Sequence, residues 1–235
     1  MTSHADPVLT QAISRPAQAC GRGAQAIPLG KRAMDIVLAL LLGLLVLPFM
    51  LLLLGWLWLR EGRPLFYGGK RMSGPGRSFL QWKLRTMDVS TSDDGVTAAH
   101  KADRVTANGR WLRRTRVDEL PQLWNILKGD MSFVGPRPPL QSYVERFPAL
   151  YGEVLRIRPG LTGLATVRCL AAEERLLENC RTAEEADRLY VRHCLHRKAR
   201  LDLLYQRRWS PGLDLWLLAL TMRIVWRAIW GQRQL

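Results

Sequence analysis

Ile36-Val37-Leu38-Ala39-Leu40-Leu41-Leu42-Gly43-Leu44-Leu45-Val46-Leu47-Pro48-Phe49-Met50-Leu51-Leu52-Leu53-Leu54-Gly55-Trp56-Leu57-Trp58-Leu59 runs for 24 residues without one charge. As a helix it would extend about 36 Å, enough to cross a hydrocarbon core of about 30 Å. Two features qualify a simple crossing. Pro48 lies mid-segment, where it removes a backbone hydrogen bond and bends the helix. The flanks are basic on both sides, Lys31 and Arg32 before and Arg60, Arg63, Lys70 and Arg71 after. Lysine and arginine favour the cytoplasmic side, so both ends call for the same side. A helix that enters, breaks at Pro48 and returns satisfies both facts; a spanning anchor is the other reading. The segment is too long for a signal-peptide core and has no small-residue cleavage site after it.

Outward from this helix, residues 1–29 are rich in Ala, Gln, Pro, Ser and Gly and read as a disordered tail. The chain of 235 residues carries a formal charge of +15, which points to polyanionic partners: anionic lipid, nucleotide or phosphate. Nucleic acid is disfavoured, because no aromatic-basic recognition motif is present and a long uncharged segment would have no purpose there. Nine tryptophans, several among arginines near the C-terminus, suit a membrane–water interface. Cys20, Cys169, Cys180 and Cys194 show no disulfide or zinc spacing, and with His193 and His196 they read as reduced thiols on a basic surface.

The chemistry concentrates between Arg113 and Pro138, R-R-T-R-V-D-E-L-P-Q-L-W-N-I-L-K-G-D-M-S-F-V-G-P-R-P. Adjacent carboxylates, Asp118 and Glu119, follow three arginines and precede Arg137, which two prolines restrain. Carboxylates among fixed cations can supply a nucleophile and a metal ligand while arginines hold anionic oxygens. Asp118 reads as a helix N-cap, with Leu120, Leu123, Trp124 and Leu127 as the apolar stripe, Lys128 in the last turn and Gly129 as the stop. An aspartate before a helix is often only a cap, and the surrounding arginines raise the functional reading. A helix N-terminus there would attract phosphate and keep Asp118 ionised.

Residues 62–87 alternate like short strands around Gly and Pro turns and present Lys70, Arg71, Lys83 and Arg85. These form either a solvated basic hairpin or a ledge facing phosphate. Residues 88–103 read as a mobile loop, 140–156 as helical, and 158–163 as a rigid turn carrying Arg158. Residues 171–207 are charged and helical. Ser210-Pro211-Gly212 opens a last helix with Leu213, Trp216, Leu217, Leu220 and Ile224 on one side, either interfacial or core-packing.

In Lys83-Leu84-Arg85-Thr86-Met87, Asp118-Glu119-Leu120-Pro121-Gln122-Leu123, Lys128-Gly129-Asp130-Met131-Ser132, Val134-Gly135-Pro136-Arg137-Pro138 and Arg158-Pro159-Gly160-Leu161-Thr162-Gly163, the chain resembles the bacterial sugar transferase family. These are monotopic polyprenyl-phosphate phosphoglycosyl transferases, and the likeness is to their minimal, single-domain form. The resemblance implies an α+β, mostly helical monotopic membrane protein with a re-entrant helix, short strands and interfacial amphipathic helices. It implies transfer of a sugar-1-phosphate from a UDP-sugar to polyprenyl (undecaprenyl) phosphate with release of UMP, at the cytoplasmic face of the bacterial inner membrane. By position, Asp118 would form a covalent phosphosugar-aspartate, Glu119 would bind Mg2+, and Lys83, Arg113, Arg137 and Arg158 would bind substrate. Pro48 would mark the membrane-helix bend, although the family usually has Ser-Pro there and this chain has Leu47-Pro48. Arg116 stands where a small residue is common, and Thr166 where glutamine is. Tyr190, Lys198, Asp202 and Tyr205 also match, without an assigned role. The expected layout is a tail at 1–29, the membrane helix at 30–60, a catalytic domain at 61–210 and an interfacial helix at 211–235. Membrane lipids and a second copy of the chain complete the expected partners.

Overall fold

The computed structural model describes residues 28–88, 104–178, 180 and 182–230. The expected tail and the expected loop at 88–103 fall almost wholly outside these. Helix α1, Leu29–Glu61, is continuous through Pro48. The helix is not unwound at the expected break: Pro48 removes one hydrogen bond, the neighbouring turns of a Leu-rich segment stay helical, and a helix so interrupted bends without unwinding. Gly62 ends it at φ +68, and the Arg85 guanidinium caps it, donating to the carbonyls of Glu61 and Gly62. The helix is long and apolar enough to cross a membrane, and only 6% of its most apolar window is buried. Its buried residues lie toward the two ends, Lys31, Asp35 and Ala39 at one and Leu57 at the other. Leu44, Leu45, Phe49 and Leu52 between them are exposed.

The chain continues into an antiparallel hairpin, β1 (Phe66–Gly74) and β2 (Arg77–Leu84), joined through Gly76 at φ +69. Helix α2 (Ala107–Thr115) follows, N-capped by the Thr106 hydroxyl, and a 3-10 turn (Val117–Glu119) leads to α3 (Gln122–Lys128). Strand β3 (Ser132–Val134) precedes helices α4 (Gln141–Arg146) and α5 (Pro148–Val154) and pairs in parallel with β4 (Gly160–Thr162). Helices α6 (Leu164–Glu178) and α7 (Ala183–Leu189) come next. A π-helical stretch (Tyr190–Leu195), α8 (His196–Arg207) and α9 (Pro211–Trp230) complete the described chain. The described residues are thus mostly helical, with two small sheets.

The β3–β4 pair is the hub of the main core, where Ala39 of α1 meets Ile126, Met131, Phe133, Val134, Tyr205 and Leu217. Three glycines make this crossing possible. A Cβ on Gly135, Gly160 or Gly163 would strike the backbone opposite, because the 135–136 and 160–163 backbones lie directly against each other. Gly135 N–H donates to Thr162 O at 2.9 Å and Gly160 N–H to Pro136 O at 2.8 Å. The backbone leading into Arg137 is held this way. A second core joins Met72 to Val144, Leu150, Val154, Leu195 and Ala199, and a third joins Leu57 to Leu84 and Leu112.

Buried polar links tie the apolar helix to this body. Lys31 Nζ lies 2.6 Å from Asp214 Oδ2 on α9, both side chains being buried. Tyr205 OH donates to Asp214 Oδ1 at 2.6 Å, and Trp209 Nε1 to Asp214 Oδ2 at 3.0 Å. Asp35 accepts from Ser132 Oγ and Phe133 N–H. These links turn α9 differently from its apolar pattern. Asp214 and Leu217 face the core, Thr221 meets Thr162, and Trp216 and Ile224 of the expected stripe face outward. A buried aspartate with three donors outweighs a hydrophobic count.

Candidate active site

Three features bring the 118–119 carboxylates to the hairpin. Arg116 adopts a left-handed backbone at φ +59, a conformation costing a non-glycine residue roughly 1–3 kcal/mol, and turns the chain sharply after α2. The chain then winds through the 3-10 turn. Below it, α3 is stitched to β2: Gln81 Nε2 donates to Gln122 Oε1, Asn125 Nδ2 donates to Leu80 O, and Asn125 Oδ1 accepts from Trp82 N–H. The Asn125 amide serves as a short third strand along β2. Gln81 and Lys83 share one face of the pleat. Pairing Gln81 with Gln122 therefore carries Lys83 to Glu119.

Glu119 is buried, and its Oε1 gathers three cations: Lys83 Nζ at 2.9 Å, Arg116 NH1 at 3.5 Å and Arg137 NH2 at 3.5 Å. Burial alone would push this carboxyl up, but the charges of Lys83, Arg137 and Arg116 prevail and bring it to about 2. Asp118 goes the other way. Burial first, then the Glu119 charge, raise it against the pull of Lys83, Arg116 and Arg113. The expected N-cap is corrected here: neither the 3-10 turn nor α3 has a side-chain cap, and Asp118 Oδ1 is buried without a hydrogen-bond partner. The expectation of a carboxylate kept ionised by a helix terminus falls with it, since burial, reinforced by the carboxylate beside it, dominates. The α3 stripe is corrected in part, since Leu123 and Leu127 do pack against the main core. Gln122, Asn125 and Ile126 are buried while Trp124 is exposed, because the two amides serve β2. Gly129 does end α3, at φ +96.

Lys83, Arg116 and Arg137 thus converge on Glu119. Arg113 stands close by, its Nε donating to Thr86 Oγ1 at 2.8 Å. Arg158 does not join them. It lies at the far end of α3 beside Gly129, next to Arg32, which donates to the carbonyls of Ile126 and Leu127. Pro48 lies within α1. Arg71 is an addition that sequence reading left among the hairpin cations: its Nε donates to Gln81 Oε1, and burial followed by the charge of Arg137 pushes its guanidinium down. The glutamine–asparagine stitching was missed, and only the period-2 register of β2 could have hinted at it.

Around two carboxylates stand Arg71, Lys83, Arg113, Arg116 and Arg137, an excess of fixed positive charge facing an unpaired carboxylate oxygen. Such a site attracts a phosphate anion and sets an oxygen nucleophile beside it. Among the described residues no three His, Cys, Asp or Glu side chains converge into a protein-only metal cage. Glu119, whose three ion pairs all fall on Oε1, keeps Oε2 for a magnesium ion, which takes one or two carboxylates and completes its shell with substrate phosphates and water.

Comparison with known proteins agrees with this chemistry. A family model described as bacterial sugar transferase matches residues 26–228. A UDP-glucose:undecaprenyl-phosphate glucose-1-phosphate transferase of Klebsiella pneumoniae is 36% identical over 196 residues, 82% of this chain and 39% of that protein. One of the same name from Caulobacter vibrioides is 40% identical over 170 residues, 71% of this chain and 64% of that protein. An undecaprenyl-phosphate galactose phosphotransferase of Salmonella typhimurium is 37% identical over 153 residues, 57% of this chain and 31% of that protein. The chain spans less than two thirds of the length of each of these relatives.

Proposed function

The chain belongs to the bacterial sugar transferase family, and from that premise we propose that it moves a sugar-1-phosphate from a UDP-sugar to polyprenyl phosphate and releases UMP. The observation that carries this reading is the buried, unpaired Asp118 oxygen beside a Glu119 already neutralised by three cations. An Asp118 carboxylate oxygen attacks the sugar-bearing phosphorus, and the bond from that phosphorus to the bridging oxygen breaks, so that UMP leaves with the electron pair. A phosphate oxygen of the polyprenyl phosphate then attacks the same phosphorus, and Asp118 departs as carboxylate. Lys83, Arg116 and Arg137 hold charge in place before either substrate arrives, so little reorganisation accompanies reaction. Magnesium held by Glu119 would neutralise diphosphate oxygens and ease departure of UMP.

The same reading places the site at a membrane surface. Both ends of α1 pack on one body: Arg32 and Asp35 bind residues 126–133, while Leu57 packs with Leu84 and Leu112. A helix spanning the bilayer would separate its ends by about 30 Å of hydrocarbon, which one polar body cannot bridge. This supports a re-entrant α1 that dips into one leaflet, its exposed middle in lipid and its body on the cytoplasmic side of the inner membrane. Exposed Trp216, Trp226 and Trp230 give α9 the composition of an interfacial helix. The proposed layout is a membrane helix at 30–60, a catalytic domain at 61–210 and an interfacial helix from 211.

Two experiments test this. Wild-type protein in nanodiscs with undecaprenyl phosphate should release UMP from a UDP-sugar, and Asp118→Asn or magnesium chelation should abolish release. Near-wild-type release from folded Asp118→Asn would defeat the assignment. For topology, cysteines placed before Lys31 and after Arg60 should both be protected from a periplasmic thiol reagent, and labelling of only one would mean a spanning helix.

A further inference from the structure

Beyond Arg137, away from Glu119, a cavity of about 440 Å³ opens between the Pro138-Pro139 segment and helices α5 to α8. That volume falls in the ordinary range for a small-molecule site. Arg137 lines it, and the Arg137 charge is felt at Tyr190 on its opposite wall. The site and the cavity therefore share a wall residue. The polar groups inside suit hydroxyls. Lys198 Nζ lies 2.8 Å from Glu173 Oε2 and stands over the Tyr190 ring at 5.1 Å. Asp202 is buried, and no described residue donates a hydrogen bond to its carboxylate; burial, against the pull of Lys198, pushes it up to about 7. Tyr151 adds a second aromatic wall. The wall that carries Tyr190 and Leu195 is the π-helical stretch, a rare geometry that recurs at functional sites.

We propose that this cavity receives the sugar ring of the donor, with Glu173, Lys198 and Asp202 hydrogen-bonding its hydroxyls and Tyr190 and Tyr151 packing on its faces. The inference rests on the transferase reading and deepens it. Connectivity selects the sugar over the nucleoside. The sugar is bonded through one oxygen to the phosphorus that Asp118 attacks, whereas the nucleoside lies one phosphate further away. A chamber sharing Arg137 with Glu119 is at the closer distance. Carboxylates with a lysine and flat aromatic faces suit a polyol ring, and a buried carboxyl that hydroxyls would satisfy supplies discrimination between epimers.

The test uses the full chain in nanodiscs and compares wild type with Lys198→Met, Glu173→Gln and Tyr190→Phe. The last two keep side-chain size and guard against loss of fold. UMP release is measured with UDP-glucose, UDP-galactose and their N-acetylated counterparts, and inhibition with UMP, which lacks the sugar. The expected result is that Lys198→Met and Glu173→Gln shrink the kcat/KM ratio between best and worst sugar by about tenfold or more, while the Ki of UMP stays within about twofold. An unchanged ratio, with all sugars falling together, overturns the proposal. So does parallel weakening of UMP, which would assign the cavity to the nucleoside. If wild type releases UMP from no donor, the transferase reading fails by itself. Calorimetry then still decides the cavity: UDP-sugar must bind more tightly than UDP, and Lys198→Met must erase that difference.

Discussion

Replacing Lys31 by Met removes the cation from a cluster almost wholly shielded from solvent. Lys31 and Asp214 have side-chain exposures of 6% and 0%, and their charges meet at 2.6 Å. Deleting one partner of such a pair leaves a charge uncompensated in a medium that solvates it poorly, typically at a cost of about 3–5 kcal/mol. Tyr205 and Trp209 still donate to Asp214, so the lower end applies here, about 3 kcal/mol. For a chain of this size that lowers Tm by roughly 6–12 °C. Adding Asp214→Asn should recover part of the loss. Its oxygen accepts from Trp209 while its NH2 meets Tyr205 OH, whose proton turns to the Val134 carbonyl, but buried Asp35 still lacks the charge of Lys31. The assay is a double-mutant cycle by thermal unfolding in one detergent, with UMP release alongside. Tyr205 OH, whose proton goes to Asp214, also lies 3.2 Å from the Val134 carbonyl, three residues before Arg137, so activity should fall in the single variant and recover in the double. A Tm change below about 2 °C for Lys31→Met, or strictly additive losses, would refute the reasoning.

Lys83→Met should move the acid limb of the pH–rate profile to higher pH, since Lys83 lowers both Glu119 and Asp118. The sign follows from Glu119, whose folded-state value of about 2 lies below its ordinary 4.5. Its contribution to stability is complete above 4.5 and lost as pH falls toward 2, so without Lys83 acid unfolding should begin at higher pH. An unmoved limb would remove Lys83 from the site. Gly160→Ala should destabilise by about 2 kcal/mol or more, because its Cβ would meet the Gly135 and Thr162 backbone. Gly152→Ala on α5, with nothing within 4 Å, should instead be neutral or stabilising by up to about 1 kcal/mol. Equal unfolding midpoints for the two variants would contradict the glycine crossing.

Much of the architecture was legible because it depends on neighbours along the chain. A charge-free run from Ile36 to Leu59 can only be a long apolar helix. Alternation around Gly76 makes a hairpin, and Gly129 stops a helix because it tolerates positive φ. The Asp-Glu pair and the cations Lys83 and Arg137 could be nominated from residue types and motif spacing alone. What the linear pattern could not supply is which polar group finds a partner from elsewhere. Asp118 looked like a cap, yet it is an unpaired buried oxygen. Gln122 and Asn125 looked like the solvent side of α3, yet they face inward because β2 offers them hydrogen bonds. Asp214 faces the core because Lys31, 183 residues away, is there to meet it. Arg158, nominated from its motif, lies at the opposite end of α3 from Glu119, beside Gly129. Local propensity and periodicity are properties of short stretches and survive in the sequence. The burial of a charge is decided by long-range pairing, since its desolvation is offset only where the fold brings a counter-charge or a donor within about 3 Å.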